Sequence, residues 1–447
     1  MKMSNQRSFF LAGFTFHNMI FMVAMLLLSA SMLAQTARKA TAGPMQKKPK
    51  ISMKQARKIA LSKVSGQGEV KSSELETENG ILQYSFDIQT ADGMYEIGVD
   101  AATGAIVENK KESAVDEFKE KVQDAKNASA KAFHLLAKFP LGGEGGWDYV
   151  TVDSGPGRLY ISRGARVVVV DITNGNKVGE IPETAGVHGI ALVPALRRGF
   201  TSNGRSNTVT IFDLNTLQTI SQVKTGTNPD AIIFDDASRM VFAFNGRSGD
   251  TTVIDAASGS VAATIPLGGK PEFAAADGLG QVFVNIEDKN EVAVIDSRSL
   301  KVKARWALGK CDEPSGLAID RKNRRLFSGC ANKVMVILDS ADGHIIDTLP
   351  IGQGVDATAF DPDLGLAFSS NGEGTITVIA EETPNKFSVA ATIPTQRSAR
   401  TMTLDPATHK IYLPAASFGP MPAPDPAKPR QRPPILPDSF VILVFGK

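Results

Sequence analysis

The chain contains few of the residues on which many enzymes depend. Its 447 residues include two cysteines, two tryptophans and five histidines, and 49 basic against 47 acidic residues leave a formal net charge of +2. This balance gives no electrostatic reason to expect nucleic acid as a partner. The G-x-S-x-G, H-E-x-x-H and G-x-x-x-x-G-K-[ST] motifs are absent. The sparse, well-separated histidines also argue against a histidine-based metal or haem site.

Long apolar runs are missing except near the N-terminus. Lys2 and Arg7 precede the apolar run 19–28, and small residues follow it, which is the order of a secretory signal peptide over residues 1–34. We expect cleavage after Ala34, a flexible segment over 35–50 and export to the periplasm or the cell exterior. If the apolar stretch extends back to residue 9, the segment would instead remain as an uncleaved anchor. No transmembrane domain is expected beyond it.

The two cysteines, Cys311 and Cys330, lie 19 positions apart. In an oxidising compartment a single pair of thiols is usually joined. The apolar run after Cys311 reads as a strand that turns and returns to Cys330, so we expect a disulfide at one end of a hairpin. A metal pair and two free thiols are the alternatives.

A repeat of about 42 residues runs from residue 147 onward. Each unit has four runs rich in Val, Ile, Phe and Thr separated by turn residues, which predicts four strands. A four-stranded unit of this period is typical of a propeller blade. The first run of most units ends in aspartate, at Asp153, Asp235, Asp277, Asp320, Asp361 and Asp405.

The two ends of this region complement each other. The final unit contains only three strand-like runs, and residues 133–143 match the pattern of the missing fourth run. The sequence therefore predicts a mainly β protein, with a monomeric seven-bladed β-propeller over 132–447 closed by an N-terminal strand. Its runs "LYIS", "VTIFD", "VAVID" and "ATIPLG" resemble the YVTN-type, or YncE-like, propeller family. That resemblance implies an exported binding protein and, more distantly, a lactonase propeller.

A smaller α+β module precedes the repeats, at residues 51–112. Ser52 and Gln55 have capping-box spacing ahead of a helix, and three strand-like runs follow, two of them joined across Asp92-Gly93. The order "QARKIAL", "YSFDI", "YEIGVDAATGAIV" resembles a PepSY domain, a family associated with propeptides and envelope partners. Residues 113–131 have apolar residues at helical spacing and are expected to form a helical linker.

Candidate site residues come from the repeat alignment. The residues just before each first strand should line a common mouth, and they are Asp148, His188, Asp230, Glu272, Ser315, Asp356 and Arg400. We expect all of them except Ser315 to bind ligand, with His188, Glu272 and Asp356 as catalytic candidates. Asp230, Glu272 and Asp356 are candidates for holding a divalent cation such as calcium. The alternative is a hydrated channel in which Arg400 pairs with a carboxylate, and no cofactor is predicted.

Two functions remain open on the sequence alone. The first is an exported, non-catalytic binding or scaffold protein whose mouth and PepSY-like module bind an envelope or extracellular protein or a small polar ligand. The second is a lactonase-like or lyase-type enzyme, in which a metal or His188 activates water. The proline-rich insertion 416–439 could dock a partner or serve as a mobile flap without a role.

Overall fold

A computed structural model describes residues 48–64, 66–78, 80–111, 114–422 and 432–447. The predicted signal peptide, most of the segment 35–50 and the middle of the proline-rich insertion lie outside these ranges. The chain divides into two units, Met1–Ser113 and Ala114–Lys447. The two units are described separately.

The first unit contains one helix and one antiparallel sheet. Helix α1 (Met53–Leu61) begins at Ser52, whose side chain accepts a hydrogen bond from the Gln55 backbone while the Gln55 side chain accepts one from the Ser52 backbone, as the sequence predicts. Ala56 and Ala60 of the helix are buried against Phe86 and neighbouring sheet residues. The sheet has the order β1-β2-β3-β4, with β1 Glu69–Glu78, β2 Ile81–Thr90, β3 Gly93–Asp100 and β4 Ile106–Lys111.

Strand β1 is an addition to the three strands expected from the sequence. It pairs only with β2, and nearly all of its residues are exposed, including Leu75. An edge strand with polar residues on both faces lacks the alternation by which strands are recognised. Charged side chains such as those of β1 are also typical of protected sheet edges.

The second unit opens with helix α2 (Ala114–Ala132) and strand β5 (His134–Pro140). The sequence predicts a helical linker at 113–131, and the helix observed there belongs to the same unit as the repeated sheets. Ala130 and Phe133 lie in a buried cluster with Phe368, and the two phenylalanine ring centroids are 5.2 Å apart. The Lys126 ammonium group donates to the Glu381 carbonyl. The C-terminal part of α2 is therefore packed on the sheets.

Seven four-stranded antiparallel sheets follow within the described part of this unit, and we number them in chain order. Sheet 1 comprises β6 Val150–Asp153, β7 Arg158–Arg163, β8 Arg166–Asp171 and β9 Lys177–Ile181. Sheet 2 comprises β10 Val187–Val193, β11 Arg198–Asn203, β12 Thr208–Asp213 and β13 Thr219–Lys224. Sheet 3 comprises β14 Pro229–Asp235, β15 Met240–Asn245, β16 Asp250–Asp255 and β17 Val261–Pro266. Sheet 4 comprises β18 Pro271–Ala276, β19 Gln281–Ile286, β20 Glu291–Asp296 and β21 Lys301–Ala307. Sheet 5 comprises β22 Pro314–Asp320, β23 Arg325–Cys330, β24 Val334–Asp339 and β25 Ile345–Pro350. Sheet 6 comprises β26 Val355–Asp361, β27 Leu366–Asn371, β28 Thr375–Thr383 and β29 Lys386–Pro394.

Sheet 7 is built from both ends of the unit. Its order is β30-β31-β32-β5, with β30 Thr403–Asp405, β31 Lys410–Ala415 and β32 Val441–Gly446. Strand β5 pairs antiparallel with β32, with Pro140 opposite Val441 and His134 opposite Gly446. The first strands contact one another in the order β6, β10, β14, β18, β22, β26 and β30, and β30 also contacts β6. The protein is thus mainly β, with a propeller-like arrangement of sheets.

The repeated aspartates have a local role. Asp361, at the end of β26, accepts backbone hydrogen bonds from Asp363 and Leu364, and Asp255, at the end of β16, accepts one from Ser258. An aspartate that accepts backbone N–H groups two or three residues later stabilises a tight turn. The aspartates therefore recur with the repeat because each hairpin needs such a turn.

The disulfide predicted between Cys311 and Cys330 is present, with the two Cα atoms 5.4 Å apart. Cys330 ends β23 and pairs with Pro314 at the start of β22. Both cysteines are buried. The bond therefore joins the segment before the first strand of sheet 5 to the end of its second strand.

Candidate functional site

The candidate site lies where the first strands of the sheets begin. Asp148 precedes β6, and His188, Asp230 and Glu272 are the second residues of β10, β14 and β18. In sheets 5 to 7 the corresponding residues are Ser315, Asp356 and Arg400. These seven residues, which we call the mouth residues, are all partly or largely accessible to solvent.

Three of the mouth residues form a compact cluster. The Nδ1 atom of His188 lies 2.5 Å from Oδ2 of Asp148 and 3.7 Å from Oδ1 of Asp230. The three side chains are only 19–27% exposed. They come from three consecutive sheets, so their meeting depends on how the sheets are arranged. We call them the Asp-His-Asp cluster.

Glu272, on sheet 4, has different partners. The Lys270 ammonium group lies 2.6 Å from the Glu272 carboxylate and also contacts the Glu287 carboxylate. Burial lowers the pKa of Lys270, but its hydrogen bonds to the two glutamates outweigh this effect and raise the pKa above its usual value. One ammonium group thus bridges two carboxylates at this part of the mouth.

Asp356 and Arg400, on sheets 6 and 7, form a third group. The Arg400 Nε atom lies 3.6 Å from Oδ2 of Asp356, and the Arg400 side chain is half exposed. The Asp356 Oδ2 atom is itself buried and has no hydrogen-bond partner. The Ser315 hydroxyl donates to the Asp356 backbone carbonyl. The arginine therefore offsets the charge of Asp356 only across a long contact.

Two aromatic rings stack beside the mouth residues. Tyr149 follows Asp148, and Phe273 follows Glu272, and their ring centroids lie 4.6 Å apart. Because the rings come from sheets 1 and 4, which are not neighbours, the stack crosses the space between the first strands. The Tyr149 hydroxyl is buried without a hydrogen-bond partner. Burial and the charges of Asp230, Glu272, Asp148 and Asp356 raise the pKa of Tyr149.

The mouth carboxyl groups are electrostatically strained. Burial raises the pKa of Asp230 to about 6, with His188 opposing the rise and Asp148 and Asp356 adding to it. Burial raises the pKa of Glu272 to about 8, and the charge of Asp230 and the hydrogen bond with Glu287 add to the rise. The hydrogen bond and charge of Lys270 oppose it. Burial also raises the pKa of Asp356 to about 6 despite Arg400. The surroundings therefore disfavour the charged form of these carboxyl groups, chiefly through burial and further through the neighbouring carboxylates.

The same surroundings favour the charged form of the His188 imidazole. Burial lowers the pKa of its imidazole, but the hydrogen bond to Asp148 and the charges of Asp230, Asp148 and Glu272 raise it to about 9. The two carboxylates therefore favour the protonated form of the ring. A protonated imidazole does not act as a general base, so the arrangement disfavours activation of water by His188 alone.

The structure brings some of the predicted site residues into contact and separates others. His188 meets Asp148 and Asp230, and Arg400 meets Asp356. Of the three expected cation ligands, Glu272 contacts Lys270 and Asp356 contacts Arg400, while Asp230 lies beside His188. The cluster with metal-ligand spacing is instead Asp148, His188 and Asp230.

Four residues of this region were missed by the sequence analysis: Lys270, Glu287, Tyr149 and Phe273. The two aromatic residues each follow a mouth residue, and Lys270 lies two positions before one. Adjacency to an aligned position was thus an available signal for these three. Glu287 lies beyond the second strand of its sheet and reaches the mouth only through the fold.

Comparison with known proteins identifies the first unit. Residues 50–110 match the PepSY family, described as the peptidase propeptide and YPEB domain. The resemblance expected from the sequence is confirmed for this module, and the match does not extend to the seven sheets. No curated protein matches the chain.

The PepSY domain and the disulfide fit an extracellular or periplasmic protein. The described residues include no helix of sufficient length and apolar character to span a membrane. The predicted signal peptide at 1–34 lies outside the described residues.

Proposed function

We propose that residues 132–447 form a seven-bladed β-propeller of the YVTN type, closed by β5, and that residues 51–112 and 113–131 are the PepSY domain and its helical connection. Two observations support this assignment. The seven four-stranded sheets recur with the sequence period, and their first strands contact one another in a cycle that returns from β30 to β6. Pairing of β5 with β32 leaves no free edge where the chain ends meet.

We propose that the protein is an exported, non-catalytic binding protein whose mouth binds a small organic cation. In this proposal the PepSY domain contacts an envelope or extracellular protein, in keeping with the family to which it belongs. The mouth supplies the recognition chemistry, since carboxylates bind ammonium and guanidinium groups through charge-assisted hydrogen bonds.

One observation carries the proposal for the mouth: the carboxylates there outnumber their positive partners and share one partly buried space. Burial raises the pKa of Asp230, Glu272 and Asp356, and neighbouring carboxylates raise it further. A bound cation would lower the cost of ionising them. The stacked Tyr149 and Phe273 would supply an aromatic surface beside that cation.

The test uses the full mature protein after treatment with a chelator. Isothermal titration with spermidine should show saturable binding, and glutarate, an anion of similar length, should show none. The double variant Glu272→Gln/Asp356→Asn should bind spermidine at least about 10-fold more weakly, because two charge-assisted contacts are lost. Asp342→Asn, which removes an exposed carboxylate of another region, is the matched control. Equal binding by the double variant, or binding of glutarate, would refute the proposal.

An enzymatic role is the second candidate, and one observation favours it. Burial raises the pKa of Glu272, so this carboxyl group could hold a proton and donate it to a leaving group, as lactonase or lyase chemistry requires. Incubation with a panel of γ- and δ-lactones, followed by measurement of acid release, tests this role. Hydrolysis that is lost in Glu272→Gln would support it, and absence of hydrolysis across the panel would contradict it.

A further inference from the structure

His188 differs from the other described histidines in its surroundings. His134 contacts the Ala132 carbonyl, while His344 and His409 each pair with a single aspartate, Asp342 and Asp361 respectively. His188 faces two carboxylates, Asp148 and Asp230, which come from the sheets on either side of its own. Among the described residues, the resulting set is the one group of three whose ligand atoms could hold a metal ion.

The geometry of this cluster suits a metal ion. One ligand atom from each of the three side chains lies within 4.8 Å of the others. A transition metal held at about 2.0–2.2 Å from nitrogen and oxygen ligands needs such atoms roughly 3–4 Å apart, so small side-chain rotations suffice. The side chains are also partly accessible, which leaves a path for the ion and open coordination positions.

Two further observations concern the polar and charged groups around this cluster. The Tyr149 hydroxyl, next in the chain to Asp148, is buried without a hydrogen-bond partner. Lys270 is bound to Glu272 and Glu287, and Arg400 lies beside Asp356. Among the described residues the Asp-His-Asp cluster therefore has no lysine or arginine of its own, and a metal ion bound there would replace the proton that His188 shares with the two carboxylates.

We propose that Asp148, His188 and Asp230 bind one divalent first-row transition metal ion, such as Zn²⁺ or Mn²⁺, in preference to Ca²⁺. An imidazole nitrogen suits these transition metals, whereas Ca²⁺ takes six to eight oxygen ligands. The inference goes beyond the proposed organic ligand and does not depend on it. The proposed ligand set contains Asp148 and His188 in place of Glu272 and Asp356, which were expected from the sequence. Among the described residues, only Asp148, His188 and Asp230 bring their ligand atoms within 4.8 Å of one another.

The experiment measures metal binding to the chelator-treated full protein without any organic ligand. Titration with Zn²⁺ and Mn²⁺ should give one site per chain, with affinity well above that for Ca²⁺. His188→Gln and Asp230→Asn should each weaken binding on the order of 100-fold, because one of three ligands is lost. The variant His344→Gln removes a histidine that also contacts an aspartate through Nδ1, at 2.7 Å, but has no second carboxylate. It should bind as the wild type does.

Circular dichroism and thermal melting establish that each variant is folded. Co²⁺ provides a second readout, since its visible absorption bands report nitrogen and oxygen ligation and should vanish in His188→Gln. Binding that persists in both cluster variants would show adventitious surface binding and overturn the inference, as would tighter binding of Ca²⁺ than of Zn²⁺ and Mn²⁺. Because the spermidine test is run on metal-free protein and uses Glu272 and Asp356, either proposal can fail alone.

Discussion

Carboxylates recur at both ends of the first strands, and the two sets have opposite surroundings. At the end of each strand, aspartates such as Asp235 and Asp361 are fully buried, and each accepts hydrogen bonds from its own turn and from a neighbouring sheet. At the start of the strands, Asp230, Glu272 and Asp356 face a shared space and have a raised pKa.

The difference shows that burial alone does not separate a structural carboxylate from a binding one. A carboxylate that accepts hydrogen bonds from fixed backbone and hydroxyl donors, as Asp235 does through Oδ2, contributes to folding. A carboxylate that faces other carboxylates instead costs folding energy unless a cation is bound. The four predictions below test this contrast in metal-free protein, where no bound cation masks it.

The largest effect on stability is expected for the buried aspartates at the ends of the first strands. Asp235→Ala leaves the Ser238 backbone N–H and the Ser238 and Ser297 hydroxyls without their acceptor, which lies 2.7–2.9 Å away in the wild type. The free energy of unfolding should fall by about 3 kcal/mol, measured by urea denaturation. The exposed neighbour Asp236→Ala is the matched control and should change it by less than about 0.5 kcal/mol. A similar fall in the free energy of unfolding for both variants would show that Asp235 does not stabilise the fold through these hydrogen bonds.

The second prediction concerns pH and His188. Its pKa is raised from 6.5 to about 9 in the folded protein, so the protonated ring stabilises the fold below pH 6.5, and this contribution is lost as the pH rises through about 9. Between these values the free energy of unfolding should fall by about 2 kcal/mol more for the wild type than for His188→Gln. Parallel pH profiles would show that the two carboxylates do not stabilise the ring.

The third prediction is a gain in the free energy of unfolding, opposite to the loss expected for Asp235→Ala. The pKa of Glu272 is raised from 4.5 to about 8, so its ionisation penalty is absent below pH 4.5 and complete above about pH 8. Glu272→Gln should therefore stabilise the protein by about 1 kcal/mol at pH 8.5 and leave it unchanged at pH 4. Denaturation at both pH values measures the difference. Destabilisation at pH 8.5 would place Glu272 with the structural carboxylates.

The smallest effect is expected at Arg400. Its side chain is half exposed and contacts Asp356 at 3.6 Å, so Arg400→Ala should lower the free energy of unfolding by no more than about 0.5 kcal/mol. It should nevertheless raise the pKa of Asp356 further above about 6, because Arg400 is the charge that opposes the rise. Carboxyl carbon NMR titration measures this shift. An unchanged pKa would mean that Arg400 does not act on Asp356.

Features carried by local pattern were predictable. The capping box at Ser52 and Gln55 and the disulfide both depend on residues a short distance apart in the chain or on a single hairpin. The pairing of β5 with β32 followed from the missing strand in the final repeat. The edge strand β1 was missed because its polar residues show no period.

The candidate site was predictable only as a set of positions. Repeat alignment placed Asp148, His188 and Asp230 at equivalent points of successive sheets, but no pattern indicated which of the mouth residues would meet. Their pairing depends on side-chain reach between sheets. The contact between Lys270 and Glu272 likewise depends on side-chain positions that the repeat alignment does not give.

The sequence by itself determined the repeat, the strands within it, the cysteine pair and the PepSY module, because periodicity, turn chemistry and capping act over a few residues. Only the tertiary structure decided that His188 lies between two aspartates and that Tyr149 stacks on Phe273. These contacts join residues from different sheets. Their distances and shared electric field exist only once the sheets are packed around a common space.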